Sequence, residues 1–247
     1  MDRDGYTEFR TLPLDLIVTL DDATSEIYSA FLVAEEGTAS SFRPLMETFA
    51  AKGLPCSLYT DRASHYFHTP RAGGKVDRAH LTQVGRALDR LGVEHIAAYS
   101  PQARGRSERM FATLQDRLPK ELKLAGITDV AAANRFIAER YLPAHNARFA
   151  KPPEIADNVF VAIEPALLAE HLCIEQERVV AADNTISYGR RRLQLPQSPL
   201  RRHYVKARVR LREYLDGTLA VFHGPRRIAR YDADGQPIPE TTPKAAA

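Results

Sequence analysis

The feature that most constrains the fold is a change in hydrophobic pattern on either side of "KPPEIADN", which begins at Lys151. Before it, helix-like and strand-like patterns alternate along the chain. After about residue 174, only short strand-like runs remain. Because paired prolines cannot continue a helix, they indicate a boundary. We therefore predict an α/β domain over residues 1–150, a helical linker over 151–173 and a small all-β, barrel-like domain over 174–232.

The first part begins with two apolar, β-branched runs, Leu14–Leu20 and Ile27–Ala34, which predict an antiparallel hairpin. A helical stripe follows over Thr38–Lys52, with Gly53 as its stop. Later segments continue the alternation, with strands over 54–60 and 93–100 and helices over 80–92 and 131–141. A hairpin followed by alternating helices and strands predicts a mixed sheet flanked by helices.

The charge is distributed unevenly. Residues 174–231 hold thirteen Lys and Arg against five Asp and Glu, whereas residues 1–173 hold twenty against twenty-three. A basic all-β segment beside a slightly acidic domain indicates a module that binds a polyanion. A solubilising surface is the alternative interpretation. The candidate phosphate contacts are Arg190, Arg191, Arg192, Arg201 and Arg202. The Pro-, Ala- and Thr-rich stretch 233–247 predicts a disordered tail.

Other features exclude whole classes of protein. No apolar run approaches the roughly 18–20 residues that span a bilayer. The N-terminal "MDRDGYTEFR" has no signal-peptide core. Cys56 and Cys173 match no zinc or disulfide spacing. We therefore expect a cytoplasmic protein without a membrane partner.

Three acidic residues occupy comparable positions. Asp61 ends a strand in "LYTDRASHYF", Glu108 opens a helix in "SPQARGRSERMF", and Asp4 precedes the first clear strand in "DRDGYTEF". Carboxylates from separate elements can hold the two Mg²⁺ ions that cleave phosphodiesters. Simpler interpretations stay open: a turn or cap for Asp61, and helix-dipole complementation or an ion pair with Arg104 for Glu108.

Five segments resemble, in order, the catalytic core of DDE transposases and retroviral-type integrases, especially the transposases of bacterial insertion sequences. They are "RDGYTEF", "LIVTLDDATSEIYSAFLV", "LYTDRASHYF", "YSPQARGRSERMFATLQDRL" and "YLPAHNARF", and they extend over about residues 3–150. The resemblance implies an RNase H-like, five-stranded mixed sheet flanked by helices. It also implies that the basic all-β segment is the small barrel that follows such cores.

The same resemblance assigns residues. It implies that Asp4, Asp61 and Glu108 bind two Mg²⁺ or Mn²⁺ ions. Asp21 and Asp22 compete with Asp4 on composition, but the family places this pair in a turn. Ala63 stands where the family commonly has glycine. His145 and Asn146 match an element that helps to position the core, with helix capping by Asn146 as the alternative. For His65 and His68, an exposed loop is the simpler interpretation, and contact with DNA or metal the other.

The implied activity is metal-dependent DNA strand cleavage and strand transfer of an insertion element by a homo-oligomer assembled on DNA. Arg104, Arg106 and Arg109 would then contact phosphates beside Glu108. Full-length relatives carry a helix-turn-helix domain before the core, so we expect a truncated copy. A catalytically inactive DNA-binding remnant and an RNase H-like nuclease that cuts without joining are the alternatives.

Overall fold

The computed structural model describes residues 13–71, 74–99, 101–155, 157–197 and 201–239, without the side chains of 101–107. Contacts divide the chain into two compact units, with the boundary between His171 and Leu172. Among the described residues, no helix has the length and apolar character needed to cross a bilayer.

The first unit opens with the predicted hairpin. Strands β1 (Asp15–Leu20) and β2 (Ile27–Val33) pair antiparallel. Asp21 holds the turn between them, because its carboxylate accepts hydrogen bonds from the backbone N–H and the hydroxyl of Thr24, at 3.1 and 2.6 Å. Asp21 therefore makes structural contacts in a turn, which is where the family resemblance places it.

Helix α1 (Thr38–Lys52) has the predicted bounds and packs on this hairpin through buried side chains that include Phe42 and Phe49. Gly53 ends the helix at a φ of 100°, and a Cβ atom there would lie 2.7 Å from the carbonyl oxygen of Val161. Leu54 and Val161 exchange two backbone hydrogen bonds beside it. The predicted linker therefore pairs with the first unit, and its described part is helical only at Pro165–His171. Pro152 and Pro153 account for the non-helical start.

A parallel strand pair follows. Strands β3 (Ser57–Thr60) and β4 (Glu94–Ala97) are joined through helix α2 (Gln83–Leu91), in register from Ser57 opposite Glu94 to Thr60 opposite Ala97. The hydroxyl of Thr82 caps the helix N-terminus by accepting the N–H of Gly85. Gly92 ends it in the left-handed region at a φ of 72°, as the sequence predicts.

Helix α3 (Pro101–Leu124) starts four positions after Ala97, the last residue of β4. Its buried stripe recurs at every fourth position and consists of Met110, Leu114, Leu118 and Leu122. These side chains join a core that includes Ile27 of β2 and Ile137.

The outer edge of β2 is covered by side chains rather than by another strand. Helices α4 (Val130–Phe136) and α5 (Leu142–Phe149) flank the π-helical segment Ile137–Tyr141. The side-chain amide of Asn134 accepts from the N–H of Leu32 and donates to its carbonyl, at 2.7 and 2.9 Å. Asn146 makes the same pair of bonds with Ile27, both at 2.9 Å. Asn146 therefore anchors a helix to the sheet and is not a helix cap.

The first unit is a mixed α/β structure. Its described strands form two two-stranded sheets, β1–β2 and β3–β4. The five-stranded sheet expected from the family resemblance is not shown. Its opening strand, around Asp4, lies outside the described residues.

Helix α6 (Pro165–His171) closes the first unit, and the described part of the second contains only strands. They are β5 (Ile174–Val179), β6 (Thr185–Tyr188), β7 (Arg191–Gln194), β8 (Arg208–Glu213), β9 (Leu219–His223) and β10 (Arg226–Tyr231). A four-stranded antiparallel sheet has the order β10–β9–β8–β5, and β6–β7 form a hairpin. Both sheets contribute to one core, which contains Ile186, Leu193, Leu211 and Val221.

Residues 233–238, within the stretch predicted to be disordered, form a turn against β10. The Asp232 carboxylate accepts from the N–H groups of Asp234 and Gln236, at 3.0 and 2.8 Å. The N–H of Ile238 donates to the carbonyl of Arg230 at 2.9 Å. Composition does not reveal this turn, because its stability comes from backbone pairing with a strand.

Candidate active site

Asp61 lies immediately beyond the end of β3, at the edge where the parallel strands β3 and β4 both end. The N–H of Ala98 donates to the Thr60 carbonyl at 2.9 Å, so the two chains stay paired up to this point. The Asp61 carboxylate is partly exposed, and one of its oxygens accepts the N–H of Ala63 at 2.9 Å. A turn contact of this kind fixes the direction of the side chain.

The strand end that carries Asp61 is held by His95 of β4. The Thr60 hydroxyl donates to the Asp61 carbonyl at 3.0 Å, so its oxygen accepts from Nε2 of His95 at 2.9 Å. Phe67 folds back and stacks on the imidazole, with ring centroids 4.1 Å apart. Burial lowers the pKa of His95 to about 4, which keeps the ring neutral near pH 7. Sequence analysis missed this histidine, because Thr60 lies 35 positions away on another strand and Phe67 lies in the loop after it.

Ala63 does not distort the loop after Asp61. Its carbonyl accepts the N–H groups of Tyr66 and Phe67, at 2.9 and 3.0 Å. Its backbone is not among the positive-φ positions of the described chain. The backbone conformation of the loop therefore does not require glycine at this position.

Glu108 lies about two turns inside α3, because the helix begins at Pro101. The prediction that Glu108 opens the helix is wrong: the Pro-Gln pair, which resembles a turn, is the helix start, where proline is favoured. The helix dipole acts mainly over the first turn, so dipole complementation does not explain Glu108. The side chain is exposed and points about 160° around the axis from buried Met110.

The remaining predicted residues of the first unit differ in exposure, and some of them lie outside the described part of the structure. Arg109 is exposed and follows Glu108 on α3. Asp4 lies outside the described residues, as do the side chains of Arg104 and Arg106, although both arginines belong to α3. His68 is exposed, whereas His65 is largely buried, with Nε2 3.3 Å from a Glu36 carboxylate oxygen.

Within the described parts of the chain, no three Asp, Glu, His or Cys side chains are grouped so that they could hold a metal ion. The predicted site requires Asp4, which is not among these residues. Asp61 and Glu108 nevertheless offer carboxylate oxygens, the donors that Mg²⁺ and Mn²⁺ prefer. The available donor chemistry therefore fits the predicted ions.

The five arginines predicted to contact DNA in the second unit differ in their surroundings. Arg191 is on the same face of β7 as buried Leu193, pairs with Glu213 at 3.2 Å and donates to the Ala233 carbonyl at 2.7 Å. Arg192 is exposed and pairs with Asp183. Arg201 is exposed and donates to the His203 carbonyl at 2.9 Å. Arg190 and Arg202 are also exposed.

No family model matches this chain. It is 36% identical over 218 residues to a provisionally named transposase, y4bF, of Sinorhizobium fredii. The aligned region covers 87% of this chain and 47% of that relative. It is 29% identical over 156 residues to the transposase for insertion sequence IS1202 of Streptococcus pneumoniae. This second aligned region covers 63% of this chain and 33% of that relative. The chain is similar to transposases. It spans about half, or less, of the length of these relatives.

One solved structure also aligns with the chain. It is the simian T-cell lymphotropic virus intasome in complex with PP2A regulatory subunit B56 gamma. The alignment covers 90% of this chain and 71% of the other at 15% identity, with a TM-score of 0.39. A score of this size does not establish a shared fold.

Proposed function

We propose that the chain forms the catalytic part of a DDE-type transposase, which cleaves DNA strands and joins them with the help of two divalent metal ions. Asp4, Asp61 and Glu108 are the proposed ligands, and DNA is the proposed substrate. Two transposase relatives support the class of protein. We further propose that the active species is a homo-oligomer on DNA.

The observation that carries this proposal is the position of Asp61 at the carboxyl edge of a parallel strand pair. Strands β3 and β4 end together, β3 leads directly into Asp61, and β4 leads within a few residues into the helix that carries Glu108. In open α/β sheets, functional groups commonly gather at this edge. Both carboxylates are accessible to solvent and therefore to ions and phosphates.

For the complete sheet, we propose that the segment around Asp4 adds the missing strand. The β1–β2 hairpin has β2 covered by Asn134 and Asn146, so β1 is its open edge. Among the described strands, β3 pairs only with β4, so its other edge is where a further strand would add. A strand between β1 and β3 would join both pairs into five strands and would bring Asp4 towards Asp61.

The proposed chemistry requires little from the protein beyond positioning. Bound Mg²⁺ or Mn²⁺ supplies Lewis-acid activation of the attacking oxygen and stabilises charge on the leaving oxygen. The carboxylates of Asp4, Asp61 and Glu108 hold the ions, and His95 with Thr60 keeps the Asp61 strand end in place. Water or a DNA 3′-hydroxyl attacks the phosphorus directly, so no Ser or Tyr nucleophile is needed. Arg104, Arg106 and Arg109 are proposed to contact phosphates.

The test is nicking of a supercoiled plasmid by the chain in Mg²⁺, Mn²⁺ or EDTA. Glu108→Gln keeps the size of the side chain but removes the anionic oxygens that a hard cation prefers. We expect Glu108→Gln and Asp61→Asn to abolish metal-dependent nicking, because a two-metal site needs its carboxylates. DNA binding and the circular dichroism spectrum should be retained.

The matched control is Glu121→Gln, which makes the same chemical change on the same helix α3. It should nick as the parent does. Nicking that survives Glu108→Gln would refute the assignment of Glu108. A parent without any metal-dependent nicking, but with DNA binding, would favour the inactive remnant.

A further inference from the structure

The solvent face of the four-stranded sheet in the second unit carries a set of arginines that sequence analysis did not single out. In β8, Val209 and Leu211 are buried in the core, so strand alternation directs Arg208, Arg210 and Arg212 to the opposite face. We call the outward side chains of β8, β9 and β10 the arginine face. Its members are Arg208, Arg210, Arg212, Phe222, Arg227 and Arg230.

The pairing register extends this face across three strands. Arg210 is opposite Phe222, which is in turn opposite Arg227, so two arginines flank one aromatic ring. Arg212 is opposite Ala220, and Ala220 is opposite Arg230. Neighbouring strands lie about 4.8 Å apart, so the face presents a compact grid of positive charge.

The edge strand β5 only partly neutralises this charge. Glu175 is largely buried and lies 3.0 Å from Nε of Arg212 and 3.6 Å from Arg210. Glu177 is 3.9 Å from Arg208, a contact between exposed groups that contributes little. Arg208 keeps 81% of its side chain exposed despite this contact.

One face of the Phe222 ring is covered, so the ring is poorly placed to stack on a nucleic-acid base. The guanidinium of Arg212 lies over its ring, 4.5 Å from the centroid. A ring covered in this way has one face less to offer a nucleic-acid base. The chemistry of the arginine face is thus that of fixed cations, which suits phosphate groups on a regular backbone.

We propose that the arginine face binds the phosphodiester backbone of duplex DNA without reading its sequence, and that it contributes more phosphate contacts than Arg190 and Arg202. This inference rests on the proposed function for its choice of polyanion. The β6–β7 hairpin is less suited to the role, because Arg191 is largely buried, pairs with Glu213 and donates to the Ala233 carbonyl.

The experiment compares two charge-matched double variants of the full chain. Arg208→Gln with Arg227→Gln removes two exposed members of the arginine face. Arg190→Gln with Arg202→Gln removes the same charge from exposed positions elsewhere in the second unit. Affinity for a fluorescein-labelled duplex of arbitrary sequence is measured from about 50 to 200 mM salt. Circular dichroism confirms that each variant is folded.

We expect the first variant to bind more weakly and to lose about 0.9 from the log–log salt slope for each lost phosphate contact. The second variant should change the slope less. An equal change of slope in both variants would overturn the proposal, because only net charge would then matter. An unchanged slope in the first variant would also overturn it. Binding of the parent to phosphatidylserine vesicles that the first variant loses, while its duplex binding persists, would also overturn it.

Plasmid nicking on the same preparations separates this inference from the proposed function. If the parent binds DNA through the arginine face but never nicks, the proposed function fails while the inference stands. If the parent nicks but the first variant keeps the full salt slope, the inference fails alone.

Discussion

At the scale of single residues, His95 shows how a neutral, partly buried side chain can hold the end of a strand. The ring donates to Thr60 and stacks on Phe67, so it joins the end of β3 to the loop that follows. Burial lowers its pKa to about 4, whereas an unfolded histidine has a pKa near 6.5. Between these values the unfolded chain binds more protons than the folded one.

The pH dependence of stability follows from this difference. The contribution of neutral His95 is fully present above about pH 6.5 and is lost as the pH falls towards 4. His95→Phe keeps an aromatic ring beside Phe67 but cannot titrate. We therefore expect the stability gap between the parent and this variant to depend on pH across this interval. Thermal unfolding of both proteins at a series of pH values measures it, and parallel curves would contradict a partly buried, neutral His95.

Sequence analysis succeeded at residues whose signal is local. Asp61 is placed at a strand end as predicted, and Asp21 makes its contacts inside a turn. It has no signal for a remote partner: Arg191, grouped with Arg190 and Arg192 as a candidate phosphate contact, is paired with Glu213, which is 22 positions away on another strand. A run of like charges does not show which member points inward.

At the scale of elements, the π-helical segment Ile137–Tyr141 has a geometric consequence. In a regular α-helix, Asn134 and Asn146 would be about 120° apart around the axis, because they are twelve residues apart. A π-helical turn contains more residues, so each residue rotates less. The segment thereby brings both asparagines to the strand β2.

The side-chain hydrogen bonds along the outer edge of β2 predict a local effect of mutation. Asn146→Ala leaves the N–H and carbonyl of Ile27 without their side-chain partners, at a cost of about 1–3 kcal/mol if no water replaces them. We expect hydrogen exchange at the Ile27 amide to accelerate by about tenfold or more. The Leu32 amide, which bonds to Asn134, is the internal control and should change less. Equal acceleration at both amides would indicate general destabilisation instead.

Element bounds were predictable where periodicity and a terminator coincide. Helix α1 has the predicted bounds because its apolar stripe ends at Gly53, and α2 ends before Gly92 as expected. The start of α3 was misplaced, because Glu108 was taken as the residue that opens the helix, whereas the helix begins at Pro101. The asparagine pairings were not predictable, because they join residues more than 100 positions apart.

At the scale of the whole molecule, a mixed α/β unit is followed by an all-β unit, and each has its own core. The change in hydrophobic pattern predicted this order, because strands and helices have different periods. The predicted linker could not be assigned correctly from composition, since the pairing of Val161 with Leu54 depends on the folded first unit. The arginine face was hidden for the same reason, because only strand register brings its members together.

The central claim is that Asp4, Asp61 and Glu108 share one two-metal site. The most direct measurement is a crystal structure of the chain with Mn²⁺, in which anomalous scattering locates the ions. We expect two anomalous peaks about 3.5–4 Å apart, coordinated by these three carboxylates. Carboxylates of Asp61 and Glu108 more than about 10 Å apart would be too far from each other for such a pair of ions. That result, or Mn²⁺ bound elsewhere only, would contradict the account.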